Sequence, residues 1–247
     1  MIIRIVLLAL FFIYVVRAPM SYRASVMEAM AKDNPDVRLT KQESQCTREF
    51  QNALKLPVGD PRRLNAFTNL ASARWGQLKY QDAENLYRLS IIETKPDTNY
   101  DQRLVDNMIH LAAVYRDQGK FAEARASYAS ALDYDQKHLT ASDPRIGRDL
   151  SNMGLNYYIE ASTKDRVDAS SKNKKDERTT LMRQANNYFE RALRVYGDKS
   201  ENEQRASITL YNQYLVLRDL GEFERSKKCK AKADGLDSSF NRLCKLP

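Results

Sequence analysis

GKFAEARASYASAL, Gly119 to Leu132, decides how the rest of the chain is read. Behind a glycine it sets rings at Phe121 and Tyr128 and alanines at Ala124 and Ala131. Residues at these intervals share one face of a helix. On such a face an alanine lets a neighbouring helix come close, and the ring fills the space beside that contact. The stretch therefore reads as the packing face of a helix that opens just after a turn at Gly119.

The same face recurs along the chain. Shifted back by 41 residues, Leu70, Ala71, Tyr80, Ala83 and Tyr87 fall under Leu111, Ala112, Phe121, Ala124 and Tyr128. Shifted forward by 42, Met153, Gly154 and Tyr157 fall under Leu111, Ala112 and Tyr115. Ala185, Phe189 and Ala192 repeat Ala124, Tyr128 and Ala131 at an offset of 61, so the third unit carries a 19-residue insertion between Tyr158 and Gln184. A fourth copy at an offset of 102 keeps Gly221, Phe223 and Ala233 but holds Gln213, Tyr214 and Lys230 where the others are apolar or small. Upstream, Cys46, Phe50 and Ala53 repeat the small, aromatic, small spacing, which makes a half-unit and gives Cys46 a packing role. Within a unit, Leu104, Met108, Leu111, Ala112 and Tyr115 form the inner stripe of one helix, and Phe121, Ala124, Tyr128 and Ala131 that of the next. A lone hairpin of this kind leaves an apolar face open, and stacking neighbours closes it.

Composition agrees with an all-α fold. Only 8 of 247 residues are glycine, and 43% are apolar, so the chain can bury a sizeable core. The net charge of +8 raises nucleic acid as a partner, but Lys164 to Arg183 and Arg225 to Lys245 interleave their basic residues with Asp and Glu. Neither region carries an aromatic stacking run, so a solvated basic face is expected and no nucleic-acid partner. The first residues, MIIRIVLLALFFIYVVRAP, place Arg4 before an apolar run from Ile5 to Val16. As a helix that run rises about 18 Å, short of the roughly 30 Å hydrocarbon core. Val16 and Ala18 suit a cleavage site, although Pro19 directly after it does not. Residues 1–18 are thus expected to be a signal peptide or a short membrane anchor, with a buried core helix as the alternative.

The pattern Met108, Leu111, Ala112, Tyr115, Gly119, Phe121, Ala124, Tyr128, Ala131 resembles the tetratricopeptide repeat (TPR). The linker Lys137 to Tyr158, with its Asp-Pro turn, is similar to that of the 42-residue variety typified by the kinesin light chain. The resemblance covers Leu64 to Ala233, with weaker support from Arg23 to Leu56, and departs at the insertion, at Arg74 where an aromatic is usual, and in the fourth copy. It implies a right-handed α-α superhelix, a TPR solenoid of about four helical hairpins, whose concave groove is lined by the first helix of each unit. The expected division is residues 19–60 as an N-terminal helical region with a half-repeat, 61–235 as the solenoid with an insertion at about 162–183, and 236–247 as a tail.

In the kinesin-light-chain type, an asparagine just before the Leu111 position binds the backbone of an extended peptide. The resemblance implies that role for Asn69, Asn152 and Asn212, with His110 at the same place in the second unit. A side-chain amide both donates and accepts, so it suits a ligand main chain. On the same face lie Trp75, Arg116, Tyr158 and Arg218, with Arg148 one turn before Asn152. Aromatic and arginine side chains anchor interfaces, and this set would favour a peptide with an acidic group or a C-terminal carboxylate. Trp75 has packing within the stack as its alternative.

Catalytic constellations are missing from the sequence. Its two histidines, His110 and His138, stand in no metal-ligand spacing, and no glycine-rich phosphate loop occurs. No cofactor and no small-molecule substrate are expected. Cys229 and Cys244 are candidates for a disulfide if the protein is exported, and free thiols in a reducing compartment. Ala161 to Arg183, nearly devoid of apolar residues between Thr163 and Thr180, is expected to extend the third hairpin outward without adding core, around a tip at Ala169 to Asn173. The expected function is a non-enzymatic scaffold that takes a partner's extended segment in its groove. The competing reading is a cytoplasmic regulator that uses its basic surface.

Overall fold

Three helices open on the same device. Asp60, Asp101 and Asp143 each accept the backbone N–H of the residue two further on, Arg62, Arg103 and Arg145, at 2.8, 2.9 and 2.9 Å. A carboxylate there satisfies an orphan donor and sits at the positive end of the helix dipole. Each arginine then folds back onto its own cap, Nη2 to Oδ2, at 2.9, 3.3 and 2.7 Å. Pro61 and Pro144, the first residues of their helices, fix a helical φ where no N–H is needed.

The computed structural model describes residues 35–94, 100–164 and 172–243, and side chains over 43–94, 100–163 and 175–236. The N-terminal segment 1–18, Cys244 and most of the insertion's tip lie outside the described residues. Nine α-helices are present among the described residues: α1 (Pro35–Ala53), α2 (Pro61–Gly76), α3 (Tyr80–Glu93), α4 (Gln102–Asp117), α5 (Phe121–His138), α6 (Pro144–Lys164), α7 (Lys172–Tyr196), α8 (Glu203–Asp219) and α9 (Phe223–Leu243). A 3-10 turn, Ser200–Asn202, precedes α8. Each helix packs on the one before it and the one after it in the chain. The pairs α2/α3, α4/α5, α6/α7 and α8/α9 are the four hairpins, and α1 lies against the first.

Tight turns join the helices of hairpins one, two and four. Lys79, Lys120 and Glu222 donate their N–H to Arg74, Tyr115 and Leu217 carbonyls at 2.9, 2.9 and 2.8 Å, closing the preceding helix. The residue before each donor must take a positive φ. Gly119 and Gly221 do so at 78° and 80°, but the first hairpin places Leu78 there at 62°.

Rings and small residues meet as the repeat requires. Ala71 and Ala83 pack with Tyr87, Ala112 and Ala124 with Tyr128, and Ala185 with Phe189, all fully buried. Cys46 is buried with Leu70 and Ala73, with Phe50 beside them. Arg74, standing where an aromatic is usual, pairs instead with Glu43 of α1 and Asp82 of α3. One expectation is corrected. The insertion lengthens α6 and α7 to 21 and 25 residues, but its flanks do enter the core, because Ala161, Leu181 and Met182 are buried with Phe189 and Val216.

Candidate peptide-binding wall

Hydrogen bonds from first helix to first helix set α2, α4, α6 and α8 side by side as one wall. Thr68 Oγ1 donates to Asn107 Oδ1 at 2.8 Å and Trp75 Nε1 to Asp117 Oδ2 at 2.9 Å. Arg145 Nη1 reaches Gln102 Oε1 at 3.1 Å, and Arg148 Nη1 reaches Asp106 Oδ1 at 2.9 Å. Ser151 and Thr209 hydroxyls meet at 3.0 Å, and Tyr158 donates to Asp219 Oδ2 at 3.2 Å. Every joint between first helices is thus tied by side chains, which fixes the spacing of whatever else the wall carries.

The wall carries Asn69, His110, Asn152 and Asn212 at one position of successive helices. Asn69 is exposed and Asn152 and Asn212 are half-buried, and none of the three side chains has a partner among the described residues. Other amides near the joints are engaged. Asn107 binds Thr68 and Ser90, Asn156 donates to the Phe121 carbonyl, Asn186 accepts from Gln213, and Asn202 donates to the Tyr196 carbonyl. His110 differs from the asparagines. Its ring lies between Tyr87 and Trp75, with centroids 5.5 and 6.4 Å away, and Nδ1 is buried without a partner. Burial holds its pKa below the ordinary value, against the Asp106 charge and helped a little by that of Arg148, which favours the neutral imidazole.

Trp75 and Tyr158 are ties between hairpins, through Asp117 and Asp219. The same carboxylates take Arg116 and Arg218, at 3.2 and 2.8 Å. An arginine held by its neighbouring aspartate offers an acidic ligand much less than a bare guanidinium does. Asp117 and Asp219 escaped the sequence reading, although the Arg-Asp pairs 116–117 and 218–219 recur at the repeat offset of 102. Asn52 and Asn65 were missed as well. They join Asn69 around a cleft of about 470 Å³ between α1 and α2, floored by Ala53, Leu56 and Ala66. Asn65 stands one turn before Asn69, which was the available signal.

Arg148 sits among three carboxylates. Besides Asp106 it binds Asp149 Oδ1 at 3.0 Å, and it lies 3.7 Å from Asp135 Oδ2. Asp135 and Asp149 are fully buried. Burial pushes the Asp149 carboxyl far above the usual carboxylate range; Arg148 opposes the rise and Asp135 adds to it. Burial, and then Asp135, likewise raise the Tyr100 hydroxyl, which donates to Asp135 Oδ1 at 3.0 Å. At the far end of the stack Cys229 carries a free thiol that donates to Gln213 Oε1 at 3.3 Å.

No protein-family model matches the chain, and no curated protein matches it. Among solved structures it is similar to a Podosopora anserina protein with nearly identical TPR-like repeats of kinesin-light-chain type, at 15% identity and a TM-score of 0.52. A variant of that protein gives 16% and 0.54; in both, the match covers 83% of this chain and 97% of that one. BtubC of P. vanneervenii is matched at 20% identity and a TM-score of 0.41, over 82% of this chain and 92% of its own. What the Podosopora structures share with this chain at such identity is the fold: the protein is an all-α solenoid of TPR-like helical hairpins.

Proposed function

We propose that the protein is a non-enzymatic scaffold that binds an extended segment of a partner protein along the wall of first helices. One observation carries this reading. Asn69, Asn152 and Asn212 occupy one position of three first helices with their amides unspent among the described residues, as are those of Asn52 and Asn65 beside Asn69, while Asn107 and Asn186 at the joints are engaged within the fold. An amide left to water on a rigid element costs little to desolvate against a main chain that replaces both its bonds. Arg116 and Arg218, neutralised by their own aspartates, frame the site more than they select an acidic ligand.

The apolar run from Ile5 to Val16 supports export or anchoring, and with it a partner in an envelope or secretory-pathway assembly. The test is capture of partners from native membranes by the full chain and by a variant carrying Asn152→Ala and Asn212→Ala. Capture is expected to fall about tenfold or more, as for two lost hydrogen bonds, with helicity unchanged. Undiminished capture would show that the ligand binds elsewhere. Fractionation checks the location: a full-length chain found wholly in the cytosol overturns export.

A further inference from the structure

Asp135 of α5 and Asp149 of α6 face the same Arg148 and come within side-chain hydrogen-bonding reach of each other inside the joint between the second and third hairpins, both at 0% exposure. Among the described residues each has one donor: for Asp135 Oδ1 the Tyr100 hydroxyl at 3.0 Å, whose single proton also faces Gln102 Oε1 at 2.9 Å, and for Asp149 Oδ1 Arg148 Nε at 3.0 Å. Each also keeps a buried oxygen, Oδ2, without a hydrogen-bond partner, as does Nη2 of Arg148. Two carboxylates side by side and away from water cannot both ionise cheaply, and orphaned acceptors at this depth are costly. A single proton held between the two carboxyls supplies the missing donor.

The other joints show what this place in the repeat requires. One unit earlier the position of Asp149 is Asn107, fully buried, which donates to Ser90 Oγ at 2.9 Å and accepts from Thr68 at 2.8 Å. One unit later it is Thr209, paired with Ser151. Both are neutral groups that donate and accept. An aspartate does the same only when it holds a proton.

We propose that Asp135 and Asp149 share one proton across this joint, and that its loss draws Arg148 off the wall and into the joint. With the proton in place the pair carries one negative charge, and Arg148 spans it and Asp106 on the wall. Without it the pair carries two, and Arg148 Nη2 closes the 3.7 Å gap to Asp135 while Asp106 is released. The consequence for a ligand rests on the peptide-binding reading above; the shared proton does not.

Among the described residues no second cation hydrogen-bonds to the pair. From the α4 side come Tyr100, Asp106 and the neutral His110, from α5 Tyr128, and from α7 Tyr196. Arg145 on α6 is held by Asp143 and lies over the Tyr100 ring, and Arg205 of α8 lies near Tyr196. The rise that burial gives the Asp149 carboxyl agrees with a retained proton.

Carboxyl 13C resonances of the full chain, followed from about pH 5 to about pH 9, read the proton directly. Two aspartate signals should move together in this range, and Asp149→Asn should remove one and abolish the movement of the other. Folding stability gives a second readout. Over the range where the native state holds the proton and the unfolded chain does not, the folding constant of the wild type should fall by about tenfold per pH unit relative to Asp149→Asn. Asp135→Asn should show the same flattening if the first variant folds poorly. Carboxyls that titrate near the ordinary value of about 4, or parallel stability curves, would overturn the shared proton whatever the partner does. If the proton is found and capture by the wild type changes with pH while that of Asp149→Asn does not, the coupling to the wall holds. Capture independent of pH with the proton present overturns that coupling alone.

Discussion

Gly154 of α6 lies directly under the Phe189 ring of α7: a Cβ on Gly154 would stand 2.8 Å from the ring's Cε1 and 3.1 Å from the Ala185 carbonyl. The first two hairpins hold Ala71 and Ala112 at this place, beside Tyr87 and Tyr128. In the third hairpin this place leaves no room for a Cβ. Gly154→Ala should therefore destabilise the protein by about 1 kcal/mol or more, since overpacking of about 1–3 kcal/mol outweighs a helix-propensity gain of up to about 1 kcal/mol. Gly235→Ala, whose Cβ would meet nothing within 4 Å, should stabilise instead. Chemical denaturation of both variants checks the opposite signs.

Leu78 is the strained turn residue of the solenoid. It takes φ 62° with half its surface exposed, where Gly119 and Gly221 serve the same turn without a Cβ. A left-handed residue with a side chain costs about 1–2 kcal/mol, while glycine adds unfolded-state entropy worth about 0.4–1 kcal/mol. Leu78→Gly is therefore expected to stabilise by about 0.5–1 kcal/mol, seen as a rise of a few degrees in Tm. Gly119→Ala should lower it. A Leu78→Gly variant less stable than the wild type would show that the leucine's contacts outweigh the strain.

Asp143 caps α6, and the hydrogen bond from Arg145 holds its pKa down at about 2. Its folded value lies below its unfolded value near 4, so its stabilisation is present above about pH 4 and is lost as the pH falls toward 2. Asp143→Ala should cost about 1 kcal/mol near neutral pH, a cap's worth after solvent screening. The gap between variant and wild type should narrow in acid. A gap independent of pH would mean that the carboxylate charge contributes nothing.

Trp75 is the single tryptophan of the chain, and it donates to Asp117 across the first joint. Asp117→Ala frees both the indole and Arg116, so the emission of the folded protein should change and stability should drop by about 1 kcal/mol. Asp219→Ala, which acts on Tyr158 at the third joint, should leave the emission unmoved. Equal emission changes in the two variants would contradict the assignment.

How much of this was legible beforehand follows from the range over which each feature is decided. The spacing of Ala112, Ala124, Tyr128 and Ala131 announced helices packed closely in series, and they are buried as that spacing requires. Asn69, Asn152 and Asn212 could be placed on one face because helical phase and repeat offset are counted along the chain. Trp75 and Tyr158 stood on the same face, but their employment as ties depends on Asp117 and Asp219, which lie 42 and 61 residues away.

The sequence by itself determined the helical period, the order of helix and turn, and the pairing of small residues with rings. These rest on contacts within one hairpin or between adjacent hairpins, so each repeat states them again. Only the tertiary structure decided which polar groups are spent and which remain open. Asp149 and Asn107 stand at the same position of the repeat, yet one is a buried acid beside Asp135 and the other a satisfied amide. Desolvation and charge act through space between elements distant in the chain, and no periodicity encodes them.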